Sequence, residues 1–339
     1  MKSVLSVDWL SYFGSYRAIK PISPVELKMR DYGTKVFRVC ADVYLNGRVV
    51  GVLSYAPRSG VLREDMAVFK FENSVLYEHD FSALRTQILH CLRFKVEGFN
   101  RLDLALDFNY FQIGLNGHAF IKGFLQERYL HNGRGKFSVQ GVQKFENSYE
   151  YLRLGSKTSP VLAYLYNKSQ EMADVKEKPY IRERWNQAGL RSDCSVWRLE
   201  FSLKSDFFSM IDKDSGAFPL SFDFDFCDFS QLKELYQSLY NKYFDFRFND
   251  KKANKSRMQR VDLISLSSVF SKFSRIYTRT QSSRREKIFL HYLHKYPQRV
   301  GFSSIQSGFE LEYAKDEFIK RTGLESYYLR KKDIWDLSE

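Results

Sequence analysis

The stretch FNRLDLALDF, residues 99–108, alternates apolar and polar side chains along its length. Successive side chains of a strand point to opposite faces, so Leu102, Leu104, Leu106 and Phe108 share one face. Arg101, Asp103, Ala105 and Asp107 share the other. VWRLEFSLK (196–204) repeats the pattern, setting Trp197, Leu199, Phe201 and Leu203 against Arg198, Glu200, Ser202 and Lys204. VLAYLYNKSQE (161–171) reads as a third such strand, with Val161, Ala163 and Leu165 on its core side. Tyr164, Tyr166 and, if the chain stays extended, Lys168 fall on the other side.

Further strands are expected nearby. VFRVCADVYLNGRVVGVLSY (36–55) reads as a hairpin, because Asn46-Gly47 supplies the positive φ angles of a tight type I′ turn. MAVFKFENSVLY (66–77) adds a strand, and DFSALRTQILHCLRF (80–94) a helix capped by Asp80 or Ser82. NQAGLRSDCS (186–195) reads as a loop, and no internal repeat is visible. Beyond the aromatic, acidic FPLSFDFDFCDFS, a helix is expected at 228–244 with Leu232, Leu235, Leu239 and Tyr243 on one side and Asp228 with Gln231 as a capping box. The fold class expected is α+β: an antiparallel sheet with helices on one face, followed by a mostly helical, basic C-terminal region. Residues 1–210 are assigned to the sheet domain and 211–339 to the basic region.

Composition narrows the function. A chain of 339 residues with 44% hydrophobic and 17% aromatic content buries a sizeable core and does not fit long disorder. No apolar run approaches the roughly 20 residues of a membrane span, and Asp8 interrupts the opening MKSVLSVDWLSYFGSY, so no membrane partner is expected. Cys40, Cys91, Cys194 and Cys227 form no C-x-x-C pair and are read as reduced thiols of a cytoplasmic protein. The formal charge is +13, and residues 247–299 hold 14 Lys or Arg against three acids. A basic block of that size fits a polyanion such as nucleic acid.

The polar strand faces carry the chemistry. Asp103, Asp107, Glu150 and Glu200 would bring hard oxygen ligands for Mg²⁺ or Mn²⁺ beside Tyr166 if their strands are neighbours. Asp103 and Asp107 lie four residues apart, roughly 13 Å along a strand, so one of them serves elsewhere. No Gly-rich phosphate loop is present, nor two histidines flanking one hydrophobic residue. His291 and His294 have helical spacing but sit in a basic segment, where a DNA-facing or plain surface role is expected.

In order and approximate spacing, RLDLALDF, YEYLRLGS, VLAYLYNKSQE and VWRLEFSLK resemble the Rep_trans-type replication initiation factors, over roughly residues 66–205. That family includes rolling-circle plasmid initiators, relaxases of integrative conjugative elements and filamentous phage initiators. The resemblance implies a metal-dependent enzyme that nicks one DNA strand at an origin, forming a 5′-phosphotyrosine and a free 3′-OH. It assigns the nucleophile to Tyr166, the motif lysine to Lys168, and acidic positions to Asp103, Asp107, Glu150, Glu171 and Glu200. Ser202 departs from relatives that carry a second acid there. Expected partners are origin DNA, single-stranded or hairpin at the nick, a host helicase and a second copy of the chain. DNA contacts are expected from Arg101, Arg198, Arg284, Arg285 and Lys287. Two other readings fit the residues: a non-catalytic DNA-binding regulator, and a metal-dependent nuclease that uses water.

Overall fold

A computed structural model describes residues 2–133, 135–142, 148–211, 229–251, 254–264, 291, 293–294, 308–322 and 324–336. Ten strands form one sheet: β1 (Ser3–Ser15), β2 (Val25–Met29), β3 (Phe37–Leu45), β4 (Arg48–Pro57), β5 (Met66–Phe71), β6 (Lys95–Phe108), β8 (Phe137–Val142), β9 (Ser148–Leu154), β10 (Val161–Asn167) and β11 (Trp197–Lys204). β7 (Tyr129–His131) and β12 (Phe246–Phe248) pair separately. Every pair in the large sheet is antiparallel, in the order β2-β3-β4-β5-β1-β6-β11-β10-β9-β8.

That order contains a repeat the sequence hides. β1 is followed by a meander whose last strand, β5, returns beside it; β6 is followed by a second meander whose last strand, β11, returns beside β6. The halves join where β1 and β6 run antiparallel from Ser3↔Phe108 to Ser15↔Lys95. The β3–β4 hairpin turns at Asn46 (φ 50°) and Gly47 (φ 75°), as its Asn-Gly signal requires. The expected strand at 66–77 stops at Phe71 and continues as a 3-10 turn, Asn73–Tyr77. Helix α1 (Phe81–Leu92) forms as expected, but Asp80 makes no side-chain cap bond.

Helices lie on both sheet faces, where one face was expected to carry them. On the Trp197 face sit α2 (Gly117–Leu125) and α6 (Phe229–Tyr243): a Cβ on Gly117 would come within 2.4 Å of the Trp197 ring, and the Tyr236 hydroxyl donates to Leu199 O at 2.8 Å. On the Arg198 face sit α3 (Lys168–Asp174) and α4 (Pro179–Gln187), whose Trp185 indole reaches Asp107. The main core is the apolar side of the sheet, where Leu10, Leu53, Phe69, Leu102, Leu104, Leu106, Leu165, Leu199 and Phe201 are fully buried. A smaller cluster of Tyr77, Met172, Ile181, Trp185, Leu190 and Val196 seals part of the polar side. Around Asp107 and Arg198 both faces of β6 and β11 are therefore covered, which strict alternation alone does not predict.

The chain divides into two compact units, Met1–Phe208 with Pro219–Ile276, and Ser209–Phe218 with Tyr277–Glu339. This moves the boundary expected after residue 210. α6 belongs to the sheet unit, because Leu232, Leu235, Tyr236 and Leu239 are fully buried there; Tyr243 is only half-buried, and Asp228 lies outside the described residues. α5 (Ser205–Ile211) follows β11 directly. In the second unit, α7 (Gly308–Thr322) and α8 (Glu325–Asp336) share a cluster of Leu293, Ile319, Leu324 and Tyr328. His294, expected at the surface or on DNA, instead bonds the Tyr328 hydroxyl at 3.0 Å and the Asp336 carboxylate at 2.7 Å.

The two faces should respond differently to truncation. Leu104→Ala should destabilise the chain by about 2–5 kcal/mol in denaturant unfolding, because it opens a cavity in close-packed core. Val52→Ala, on the half-open face, should lose less than about 1 kcal/mol.

Candidate functional site

Register brings the expected site strands together. β11 lies between β6 and β10: Arg198 pairs with Asp107 on one side and Tyr166 on the other, and Glu200 pairs with Ala105 and Tyr164. β10 is thus an interior strand, and Tyr166 stands near its end inside the sheet, not on a sheet edge. The polar run after Tyr166 is a switch from strand to helix. The Asn167 side chain accepts from Gln170 N and caps α3, while Lys168 N and Ser169 N both donate to Val196 O. Lys168 is consequently the first helical residue and not a further strand position.

Tyr166 donates its hydroxyl to Glu200 Oε2 at 2.9 Å. Burial, then the Glu200 charge, pushes that hydroxyl well above the ordinary tyrosine value. Burial, reinforced by the Asp103 and Asp8 carboxylates, pushes the Glu200 carboxyl up to about 8. Tyr164 is pushed up to about 12, by burial first and then by Tyr151 and Glu200. Lys168 is buried, with its ammonium 2.5 Å from Glu171 Oε2 and 5.6 Å from the centre of the Tyr166 ring. Burial and then Arg198 lower its pKa.

A cleft of about 520 Å³ opens at this point, lined among others by Glu150, Tyr151, Tyr164, Tyr166, Glu171 and Glu200. Glu150 reaches it through a bulge. Gln140 pairs with Tyr151 and Gly141 with Tyr149, leaving Glu150 as the extra residue of β9. An extra residue breaks the alternation and re-aims a side chain. Glu150 and Tyr151 therefore both line the cleft, while Tyr149 stacks on His118 of α2.

The two aspartates of β6 part ways. Asp103 is buried and held by Arg101 through Nε at 2.9 Å and Nη2 at 2.5 Å, with Ser202 as a further hydrogen-bond partner. Burial outweighs those contacts and raises its pKa. Asp107 belongs to a buried ion cluster. Arg198 grips it through Nε at 2.6 Å and Nη2 at 2.8 Å, and the Trp185 indole donates at 2.7 Å. The remaining nitrogen of Arg198 reaches Asp8 at 2.6 Å, and Tyr77 donates to the same Asp8 oxygen at 2.8 Å. Burial would raise Asp8, but Arg198 and Lys168 together hold it well below the usual carboxylate range.

These contacts correct one expectation. Arg198 is fully buried and doubly paired, so it is a structural cation and does not face DNA. Arg101 is half-exposed but bound to Asp103, and Arg284, Arg285 and Lys287 lie outside the described residues. Within the basic block, Arg247 and Arg260 pair with Asp245 and Asp262. Sequence reasoning missed Asp8, which sits on a second bulge: Val7 pairs with Leu104 and Trp9 with Asp103, so Asp8 is the extra residue of β1. Its signal was the one charged residue in the strand SVLSVDWLSYFGS.

For a divalent ion, the chemistry of the donors fits: burial and the Asp103 carboxylate make a charge on Glu200 costly, which a cation would relieve. Glu150 lies on the same cleft. Among the described residues, no three of His, Cys, Asp and Glu come together as a ready-made metal cluster.

Two measurements test this electrostatic layout. Replacing Arg198 with Met removes the guanidinium that holds the buried Asp107 and the largely buried Asp8, and should destabilise the chain by about 3–5 kcal/mol in chemical denaturation. Glu200 binds a proton in the folded state up to about pH 8 but in the unfolded state only to about its ordinary carboxylate value. Folded protein therefore holds more protons across that window, and stability should fall as pH rises through it, by on the order of a few kcal/mol. In EDTA, Glu200→Gln should flatten that fall in melts taken from pH 5 to pH 8; an unchanged slope would assign it to other groups.

No family model matches the chain, and no curated protein matches it. Among solved structures it is similar to a rolling-circle replication initiator protein from Geobacillus stearothermophilus, at 15% identity and a TM-score of 0.46, over 76% of this chain and 92% of that one.

Proposed function

We propose that the chain is a rolling-circle replication initiator or relaxase that nicks one DNA strand through Tyr166. The observation that carries this reading is the 2.9 Å hydrogen bond from the Tyr166 hydroxyl to Glu200 in an acid-lined cleft. The ordered strand motifs that resemble the initiator family support it.

A phenol held far above its ordinary pKa needs a base at the moment of attack. Glu200 Oε2, which already accepts the Tyr166 hydrogen bond, is in place to be that base. The Tyr166 oxygen attacks phosphorus as Glu200 takes its proton; the bond from phosphorus to the 3′ oxygen breaks. That oxygen is protonated from solvent, leaving a 5′-phosphotyrosine and a free 3′-OH. Lys168, fixed beside the ring by Glu171, favours the phenolate that forms. Bound Mg²⁺ or Mn²⁺, held by Glu200 with Asp103 and Glu150 as further donors, would neutralise charge developing on the phosphate.

The decisive experiment seeks a denaturation-resistant protein–DNA adduct on an origin oligonucleotide. Wild type and Tyr164→Phe should form it, and Tyr166→Phe should not, while keeping its fold and DNA affinity. Cleavage without any adduct would assign the acidic cleft to a water-using nuclease, and neither would leave a DNA-binding regulator. Metal binding has its own readout: Mg²⁺ should raise the melting temperature of wild type and leave Glu200→Gln unmoved.

A further inference from the structure

We propose that a single DNA strand crosses the open face of the sheet along a transverse row of basic side chains, Lys28, Lys70, Arg101 and Lys204. This rests on the nicking reading above for the identity of the polymer. Cross-strand partners share a face, and the register traces the row without a break: Lys28↔Asp42, Asp42↔Val52, Val52↔Lys70, Lys70↔Ser11, Ser11↔Arg101, Arg101↔Lys204. It therefore runs perpendicular to the strands across seven neighbours from β2 to β11. At about 4.8 Å per strand its length is roughly 29 Å.

The row's acids are already neutralised. Arg30 pairs with Asp42, and Arg101 pairs with Asp103 one step nearer the cleft. Among the described residues, Lys28, Lys70 and Lys204 have no carboxylate within ion-pair distance; Glu26 and Glu72 stand two residues off the row. Lys70 and Arg101 are held in position from either side of β1, with Lys70 Nζ 3.8 Å and Arg101 Cζ 4.3 Å from the centre of the Trp9 ring. Burial lowers the pKa of Lys70, an expense that a phosphate beside it would offset.

Unpaired bases fit this surface better than a duplex does. Phe13 and Tyr164 stand half-exposed on the same face and present rings on which splayed bases stack, whereas a duplex hides its base faces. The row crosses β11 four residues from Glu200, roughly 13 Å along the strand. A strand lying on it would run into the cleft. Lys28 and Lys70 extend the row across the first half, while Arg101 and Lys204 carry it into the second half, which bears the cleft acids and Tyr166.

The test measures binding of fluorescein-labelled oligo(dT) in the Tyr166→Phe background, where no cleavage intervenes, across a salt series. Each single-strand phosphate contact contributes about 0.7 to the slope of log affinity against log salt, so Lys28→Gln/Lys70→Gln/Lys204→Gln should flatten it by about two units. The matching Lys→Arg triple should keep the slope. Should Lys70→Gln impair folding, Lys28→Gln/Lys204→Gln alone should still remove about 1.4 units. An unchanged slope in a folded variant overturns the proposal, and so does an equal loss on a duplex of the same length. The two readings fail separately: a flattened slope without a covalent adduct from wild type sinks the nicking step only, and an adduct with an unchanged slope sinks the track only.

Discussion

The Arg198 guanidinium is the contact on which the polar side of the sheet depends. It sits on β11, next to β6, fully buried, and holds two carboxylates from the two strands that join the halves. A buried charge without partners would be intolerable, and each partner here is itself bonded again, Asp107 by Trp185 and Asp8 by Tyr77. Helix α4 and the 3-10 turn at 73–77 are thereby tied to the sheet through polar bonds as well as through the apolar cluster around Ile181. Such a cluster contributes more to specifying one arrangement than to net stability.

Beside it the balance changes sign. Asp103 has one guanidinium that is half open to solvent, and Glu200 has none of its own. Within a few residues the same face passes from carboxylates fully matched by a cation to carboxylates that are not, and the mismatch falls at Tyr166. Perturbed titration concentrates where chemistry is done, and a tyrosine sharing a proton with an unmatched carboxylate is such a place.

Much of this was legible in the sequence. Period-two alternation identified β6, β10 and β11, and the Asn-Gly pair identified the β3–β4 turn, because both signals are local. Tyr166, Glu150, Glu171 and Glu200 were named from motif order, and they line one cleft. What stayed hidden depends on pairing. Alternation cannot say that the polar face of β6 is itself covered, so Arg198 read as a surface cation. Bulges at Asp8 and Glu150 exist only relative to a partner strand, and the repeat of two halves shows only in strand order.

The position of β1 has a consequence for how the chain reaches this state. Its first strand lies at the middle of the sheet, bonded to β5 within the first 71 residues and to β6 only beyond residue 95. During synthesis the amino-terminal half can close its own meander, but it then presents β1 as a long unpaired edge until β6 emerges. Asp8, which breaks the apolar run of that strand, gives the waiting edge a charge that discourages pairing with another chain. The residue that later completes the Arg198 cluster thus also serves as a gatekeeper while the sheet is half built.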